Sequence, residues 1–204
     1  GVIGLSRAVE MAAARPGARV LVLVVELCSL TFRFGDNSNS NIIAAALFGD
    51  GAAAALIGTD GDGPELMFGG EHTWAQSLDV MGWNIEEDGL AVVFSRDIPT
   101  IVRRDLRGVV DQFLGRHDLD LNAMAGFVCH PGGAKVMDAL EQVFERPAGS
   151  LVEAREVLRD FGNMSAVTVL FVLERMLSQA RPGLHMMSAL GPGFTAGFHV
   201  LNLP

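Results

Sequence analysis

The stretch Phe127-Val-Cys-His-Pro-Gly-Gly133 sets a cysteine beside a histidine, after an apolar run and before two glycines. Residues 125–130, AGFVCH, are short, rich in apolar side chains and closed by Pro-Gly-Gly, which reads as a buried strand ending in a turn. Neighbouring side chains on a strand point to opposite faces. Cys129 and His130 therefore diverge, whereas a thiol activated by an imidazole needs it within hydrogen-bond reach. Any catalytic partner of His130 comes from elsewhere in the chain, and a stand-alone cysteine hydrolase built on Cys129 is a poor reading of the motif.

Upstream, Leu5, Ala8, Val9 and Ala12 recur at helical spacing over residues 2–14. Arg15-Pro16-Gly17 stops that helix, and RVLVLVVELCSL (residues 19–30) reads as a strand buried on both faces. RFGDNSNSN (33–41) is a polar, turn-rich segment. NIIAAALFGDG and AAAALIG then give a short helix, a Gly-Asp-Gly turn and a second buried strand. ELMFGGEHTW (65–74) and GLAVVFSRDIP (89–99) are strand-like and flank the segment Asp79 to Asp88. Pro99 opens an amphipathic helix with Val102, Leu106, Val109, Val110 and Phe113 on one face. Beyond the 125–130 strand come a helix with Val136, Ala139, Leu140 and Val143 on one face, and another from Leu151 to Phe161. MSAVTVLFVLERMLSQA (164–180) is apolar nearly all round, the mark of a buried helix. The end, HMMSALGPGFTAGFHVLNL, reads as two strands joined by a Gly-Pro-Gly turn. Strands and helices mixed in this order imply an α/β protein with helices packed on sheets.

The chain has 204 residues, half of them hydrophobic, so a sizeable core is expected. A net charge of −9 argues against nucleic acid or an anionic membrane as partner, since both require a basic face. The longest apolar runs are too short to cross a bilayer. Two cysteines, each inside an apolar run, read as reduced core residues, and a cytoplasmic setting is expected. There is no CxxC or HExxH, so a metal site is not expected. The sequence opens at Gly1 inside a helical pattern, with neither an initiator methionine nor a signal peptide, and so reads as a piece of something longer.

Two places combine glycine punctuation with a polar residue at the end of a buried element: His130 in CHPGG and Asn163 in FGNMSAV. Such ends are where a rigid scaffold presents side chains to a pocket. The plainer alternatives are a histidine satisfied by local backbone and an asparagine that caps a helix. With their neighbours, the two motifs resemble a known family. VELCSLTFR, ALFGDGAAAALIG, VCHPGGAKVMDALE, FGNMSAVTVLFVLE and GPGFTAGF follow one another as in the type III polyketide synthases, the chalcone-synthase-like branch of the thiolase superfamily. The resemblance covers nearly the whole chain. It implies a thiolase-like fold of five layers, αβαβα, incomplete here for want of its N-terminal part. Residues 1–75 would be the remainder of the N-terminal half and residues 76–204 the C-terminal half.

The resemblance also implies a chemistry. A cysteine thiolate takes an acyl group from a CoA thioester, and malonyl-CoA is decarboxylated to a carbanion that attacks the acyl-enzyme. His130 takes the family's histidine role and Asn163 its asparagine role. Acyl-CoA and malonyl-CoA are the expected partners, no further cofactor is implied, and a homodimer is expected of the complete enzyme. The family's nucleophilic cysteine lies in a Gly-Cys motif three or four residues before the position that Gly1 occupies. Neither Cys28 nor Cys129 matches it, so this chain is expected to be inactive alone. Phe48 matches the phenylalanine that gates the junction of CoA tunnel and active site. Cys28, Thr31 and Ser165 match wall positions, and Gly191, Pro192, Gly193 and Phe194 match the active-site Gly-Pro-Gly turn. Val92 falls where plant chalcone synthases carry a second gating phenylalanine, and Trp83 falls near a glycine that shapes their cyclisation cavity. Both departures point away from a plant-like aromatic starter and toward bacterial enzymes that extend fatty acyl starters into alkylpyrones or alkylresorcinols. Two alternatives are a related condensing enzyme, of the 3-oxoacyl synthase III or hydroxymethylglutaryl-CoA synthase type, and a non-catalytic scaffold with this fold. His-Pro-Gly-Gly counts against the first of these.

Overall fold

A computed structural model describes residues 1–87, 89–179 and 181–204. Asp88 and Ala180, which close two of the segments read from the sequence, lie outside the described residues. Helix α1 (Val2–Ala13) buries Val2, Leu5, Ala8 and Ala12, a stripe at three- and four-residue spacing. Gly17, at φ +81°, turns the chain into β1 (Val20–Leu27), which pairs antiparallel with β2 (Asp50–Ile57). Between them lie a 3₁₀ turn, Cys28–Thr31, and α2 (Asn39–Leu47), whose N-cap Ser38 accepts from the Asn41 amide at 3.2 Å.

A four-stranded sheet follows in the order β3-β8-β7-β6, built from β3 (Glu65–Thr73), β6 (Gly126–Cys129), β7 (Gly183–Gly191) and β8 (Thr195–Leu203). Only the β6–β7 pair is parallel. A separate antiparallel ribbon is formed by β4 (Met81–Glu86) and β5 (Gly89–Phe94). Helix α3 (Ile98–Ile101) passes through a π turn, Val102–Leu106, into α4 (Arg107–Gly115). Helices α5 (Ala134–Val143), α6 (Val152–Phe161) and α7 (Thr168–Ser178) complete the chain.

Helices α1 and α7 lie between the two sheets: α1 touches β1, β2, β3 and β8, while α7 touches β2, β6 and β7. The far face of the larger sheet is covered by α4 and α5. Phe113 packs on Phe198 at 5.3 Å, and Phe127 stacks on Phe144 at 4.5 Å. The layered α/β arrangement expected from the sequence is therefore present, and the described residues form four of the five layers.

Several local expectations need correction. β1 is covered on one face only: Leu21, Leu23, Val25 and Leu27 are each more than half exposed, and Leu56 on β2 lies on the same bare side. An apolar run shows that both faces can be buried, not which neighbour buries them. Asp50 and Gly51 belong to β2 instead of forming a turn, and β4 lies inside the segment Asp79 to Asp88, to which the sequence pattern assigns no element. The helix opened at Pro99 starts at Ile98 and is interrupted by the π turn, although Val102, Leu106, Val110 and Phe113 are buried as the pattern required. α7 is buried all round only in its first turn; Leu177 is 41% exposed.

Candidate active site

His130 follows β6 directly. Its backbone N–H donates to the Ser188 carbonyl at 2.8 Å, continuing the β6–β7 ladder by one residue, and the Gly132 N–H returns to the His130 carbonyl at 3.0 Å. The alternation of the strand then works as expected. Cys129 is fully buried and its sulfur accepts from Ser188 Oγ at 3.5 Å, while the half-buried His130 faces a cavity. Burial pushes the Cys129 thiol up to about 12, which makes it inert as a nucleophile near neutrality. Burial also lowers His130, to about 4. As it stands here, His130 is a neutral imidazole.

Asn163 is delivered from the opposite side. Gly162, at φ +73°, ends α6 and reverses the chain, a conformation that favours glycine. The Asn163 N–H donates to the Leu47 carbonyl at 2.8 Å and its own carbonyl accepts from Gly49 at 3.0 Å. These two bonds form a parallel bridge to Phe48, so Phe48 and Asn163 are fixed to one another. The Asn163 side-chain oxygen accepts from the Ser165 N–H at 2.9 Å. The plainer reading of Asn163 as a helix cap needs correction: Met164 holds the N-cap position of the 3₁₀ turn Ser165–Val167, and the Asn163 oxygen closes a local turn onto Ser165. That bond leaves the NH₂ without a partner among the described residues, on a side chain that is only 4% exposed and lines the cavity.

The cavity measures about 760 Å³. It brings together His130, Asn163, Phe48, Cys28, Thr31, Trp83, Val92, Ser165, Gly191 and Pro192, drawn from five elements and the loops between them. Trp83 and Val92 face each other as a cross-strand pair in the β4–β5 ribbon, and the Trp83 ring lies 6.4 Å from that of Phe48. The Cys28 thiol is raised by burial and then by the carboxylates of Glu26 and Asp50, so it too is a poor nucleophile. Gly193 and Phe194 do not line the cavity. The Phe194 ring is buried and packs on Trp74 at 5.1 Å. The hydroxyl of Ser77 accepts from the Phe194 N–H at 3.1 Å and reaches the Gly193 carbonyl at 3.0 Å, so these residues hold the turn in place from behind.

Sequence reasoning missed Ser77, and it missed Glu26 and Glu71, two carboxylates in the cavity wall. The signal for Glu26 was present: it is the only charged residue in an otherwise apolar strand, on the covered face. Gly1, Val2 and Ile3 also line the cavity. Among the described residues no group of three His, Cys, Asp or Glu is placed to hold a metal ion. No described helix is long and apolar enough to cross a membrane.

Comparison with known proteins shows which family the chain belongs to. The profile for the N-terminal domain of chalcone and stilbene synthases matches residues 1–61, and that for their C-terminal domain matches residues 65–202. The chain is 42% identical over 210 residues to a protein of Bacillus subtilis (strain 168) named "Putative chalcone synthase", covering 96% of this chain and 57% of the relative. It is 37% identical over 211 residues to the 1,3,6,8-tetrahydroxynaphthalene synthase of Streptomyces peucetius subsp. caesius, covering 99% and 56%. The solved tetrahydroxynaphthalene synthase of Streptomyces coelicolor A3(2), a bacterial type III polyketide synthase, superposes with a TM-score of 0.92 at 23% identity, over 99% of this chain and 60% of that one. The C-terminal type III polyketide synthase domain of the Dictyostelium hybrid Steely1 superposes at 0.90, with 24% identity, over 100% and 59%. The chain spans just over half the length of the curated relatives it matches. With both family profiles matched in order and the thiolase-like fold shared, the chain belongs to the chalcone and stilbene synthase family of type III polyketide synthases.

Proposed function

We propose that His130 and Asn163 are two members of a Cys-His-Asn site that condenses an acyl-CoA starter with malonyl-CoA. The cysteine thiolate attacks the starter thioester, the acyl group moves to sulfur, and the CoA thiol leaves. Malonyl-CoA then loses CO₂ and leaves an enolate on its thioester oxygen. The enolate carbon attacks the acyl-enzyme, the carbon–sulfur bond breaks, and a 3-oxoacyl-CoA and the thiolate are released. Negative charge develops twice on a thioester oxygen. Two fixed neutral donors, one imidazole N–H and one carboxamide NH₂, suit that task because neither must reorganise as the charge appears.

The observation that carries this reading is the Asn163 carboxamide: its oxygen is committed to Ser165 while its NH₂ is left for the cavity that His130 also faces. Asparagine donates there without titrating. The low pKa of His130 is that of an imidazole without a thiolate beside it. A neighbouring thiolate favours the imidazolium and is in turn kept ionised by it. The nucleophile is proposed to be a cysteine just before Gly1, and the place of Gly1, Val2 and Ile3 in the same cavity wall supports this. Without that cysteine the 204 residues are expected to be inactive. The part of the wall formed by Trp83, Val92 and Leu90 is apolar and supports an aliphatic starter over a plant-type aromatic one.

The test is mass spectrometry of products formed by the product of the whole gene from malonyl-CoA and a panel of acyl-CoA starters. The expected outcome is 3-oxoacyl-derived pyrones or resorcinols with fatty acyl starters. His130→Ala is expected to remove them, and normal turnover by that variant would overturn the assignment. Asn163→Ala is expected to slow malonyl-CoA decarboxylation more than starter loading; equal loss of both would leave Asn163 a structural residue.

A further inference from the structure

Helix α1 lies across β3 and β8 on a trough of glycines. A Cβ on Gly197 would stand 2.7 Å from the Ile3 side chain, and one on Gly69 would collide with Ser6 Oγ and stand 2.7 Å from His199 Nδ1. Gly69 and His199 are cross-strand partners, as are Glu71 and Gly197, so these contacts lie along one line beneath the helix. At its centre Ser6 Oγ and His199 Nδ1 are 2.8 Å apart. His199 is 1% exposed, and its Nε2 is buried with no partner among the described residues. An imidazole buried with one nitrogen unsatisfied costs stability relative to an apolar side chain. Among the described residues, the bond to Ser6 is the one polar contact of the ring. With hydrogen on Nδ1 the ring donates to Ser6, whose hydroxyl reaches the Val2 carbonyl at 3.4 Å.

We propose that the Ser6–His199 bond is a positioning lock for the active site. It fixes the sliding and rotation of α1 on the β3–β8 trough, and with them the start of the helix, Gly1–Ile3, in the cavity wall beside His130 and Asn163. Ser6 lies about 7 Å along the helix axis from Gly1, so a shift at Ser6 is passed to the first turn nearly undiminished. Displacements of about 1 Å at a reacting group cost up to a hundredfold in rate. Neither Ser6 nor His199 lines the cavity, so neither touches substrate.

This inference rests on the proposed function, and its test keeps the two apart. In the product of the whole gene, Ser6→Ala and His199→Leu are expected to lower kcat about tenfold, with KM for malonyl-CoA changed less than twofold. His199→Asn, which returns a polar atom to the position of Nδ1, is expected to keep kcat within about twofold of wild type. Unchanged kcat in folded Ser6→Ala, or equal impairment by His199→Asn and His199→Leu, would overturn the lock. If the wild type makes no condensation product, the functional reading fails by itself. The lock is then judged by amide hydrogen exchange: faster exchange in Ser6→Ala confined to the first two turns of α1 supports it, and unchanged exchange there rejects it.

Discussion

The buried His199 makes the protein sensitive to mild acid in a way that one substitution can isolate. Burial alone lowers its pKa from the ordinary 6.5 to about 4. In the unfolded chain the imidazole titrates near its ordinary value, so between these limits the unfolded state binds the extra proton. The stability that His199 leaves intact is full above pH 6.5 and is lost as the pH falls toward 4. At pH 5 the unfolded imidazole is almost wholly protonated and the native one almost wholly neutral, a difference of roughly 2 kcal/mol. His130 is depressed in the same direction, so the wild type is expected to lose more than this in total. His199→Asn keeps a polar atom facing Ser6 but removes the titrating group. Urea unfolding at pH 7.5 and pH 5.0 then measures the contribution directly: the wild type is expected to lose about 2 kcal/mol more than the variant between the two conditions. Equal losses would refute the reasoning, because they would mean that His199 is protonated in the folded state or reached by water.

Gly162→Ala places a side chain at φ +73° and a Cβ 2.8 Å from the Leu47 carbonyl that receives the Asn163 N–H. It is expected to cost about 1–3 kcal/mol in thermal or denaturant unfolding and to reduce condensation further than that loss of stability explains. Thiol labelling of the folded chain at pH 8 is expected to modify Cys28 slowly and leave Cys129 untouched until denaturant is added; rapid labelling of Cys129 would contradict its burial. The bare face of β1 is expected to bind a hydrophobic dye and promote self-association of the 204-residue chain, and Leu23→Lys to reduce both, read by dye fluorescence and sedimentation.

The residues that meet in the cavity were legible because they sit where sequence patterns change. His130 follows an apolar strand, Asn163 precedes an apolar helix, and Phe48 ends a helix before Gly49. Punctuation marks an element's end, and ends are where scaffolds present groups to pockets. What remained hidden depends on registers between distant segments. The Ser6–His199 contact joins residues 193 apart and leaves no local trace. The π turn at Val102–Leu106 was hidden for another reason: Val102, Leu106 and Val110 satisfy an α-helical stripe whether or not one turn is wider. β4 escaped because MGWNIE has no clear alternation and is half exposed in the ribbon it forms. Phe194 was misplaced because a motif specifies which residues form a turn, while packing decides that its ring goes under the turn against Trp74.

The bridge between Phe48 and Asn163 limits how this cavity can diversify. Two backbone hydrogen bonds, between Asn163 and the residues on either side of Phe48, tie the two together, so a change that moves one drags the other, and the proposed donor with it. The β4–β5 ribbon has no such obligation. Trp83 and Val92 line the cavity from a two-stranded element that pairs with neither sheet. Descendants of this sequence can exchange residues on the ribbon, and so reshape that part of the cavity, without moving His130 or Asn163. The bridged wall is closed to such experiments, so functional drift in this cavity has a preferred side.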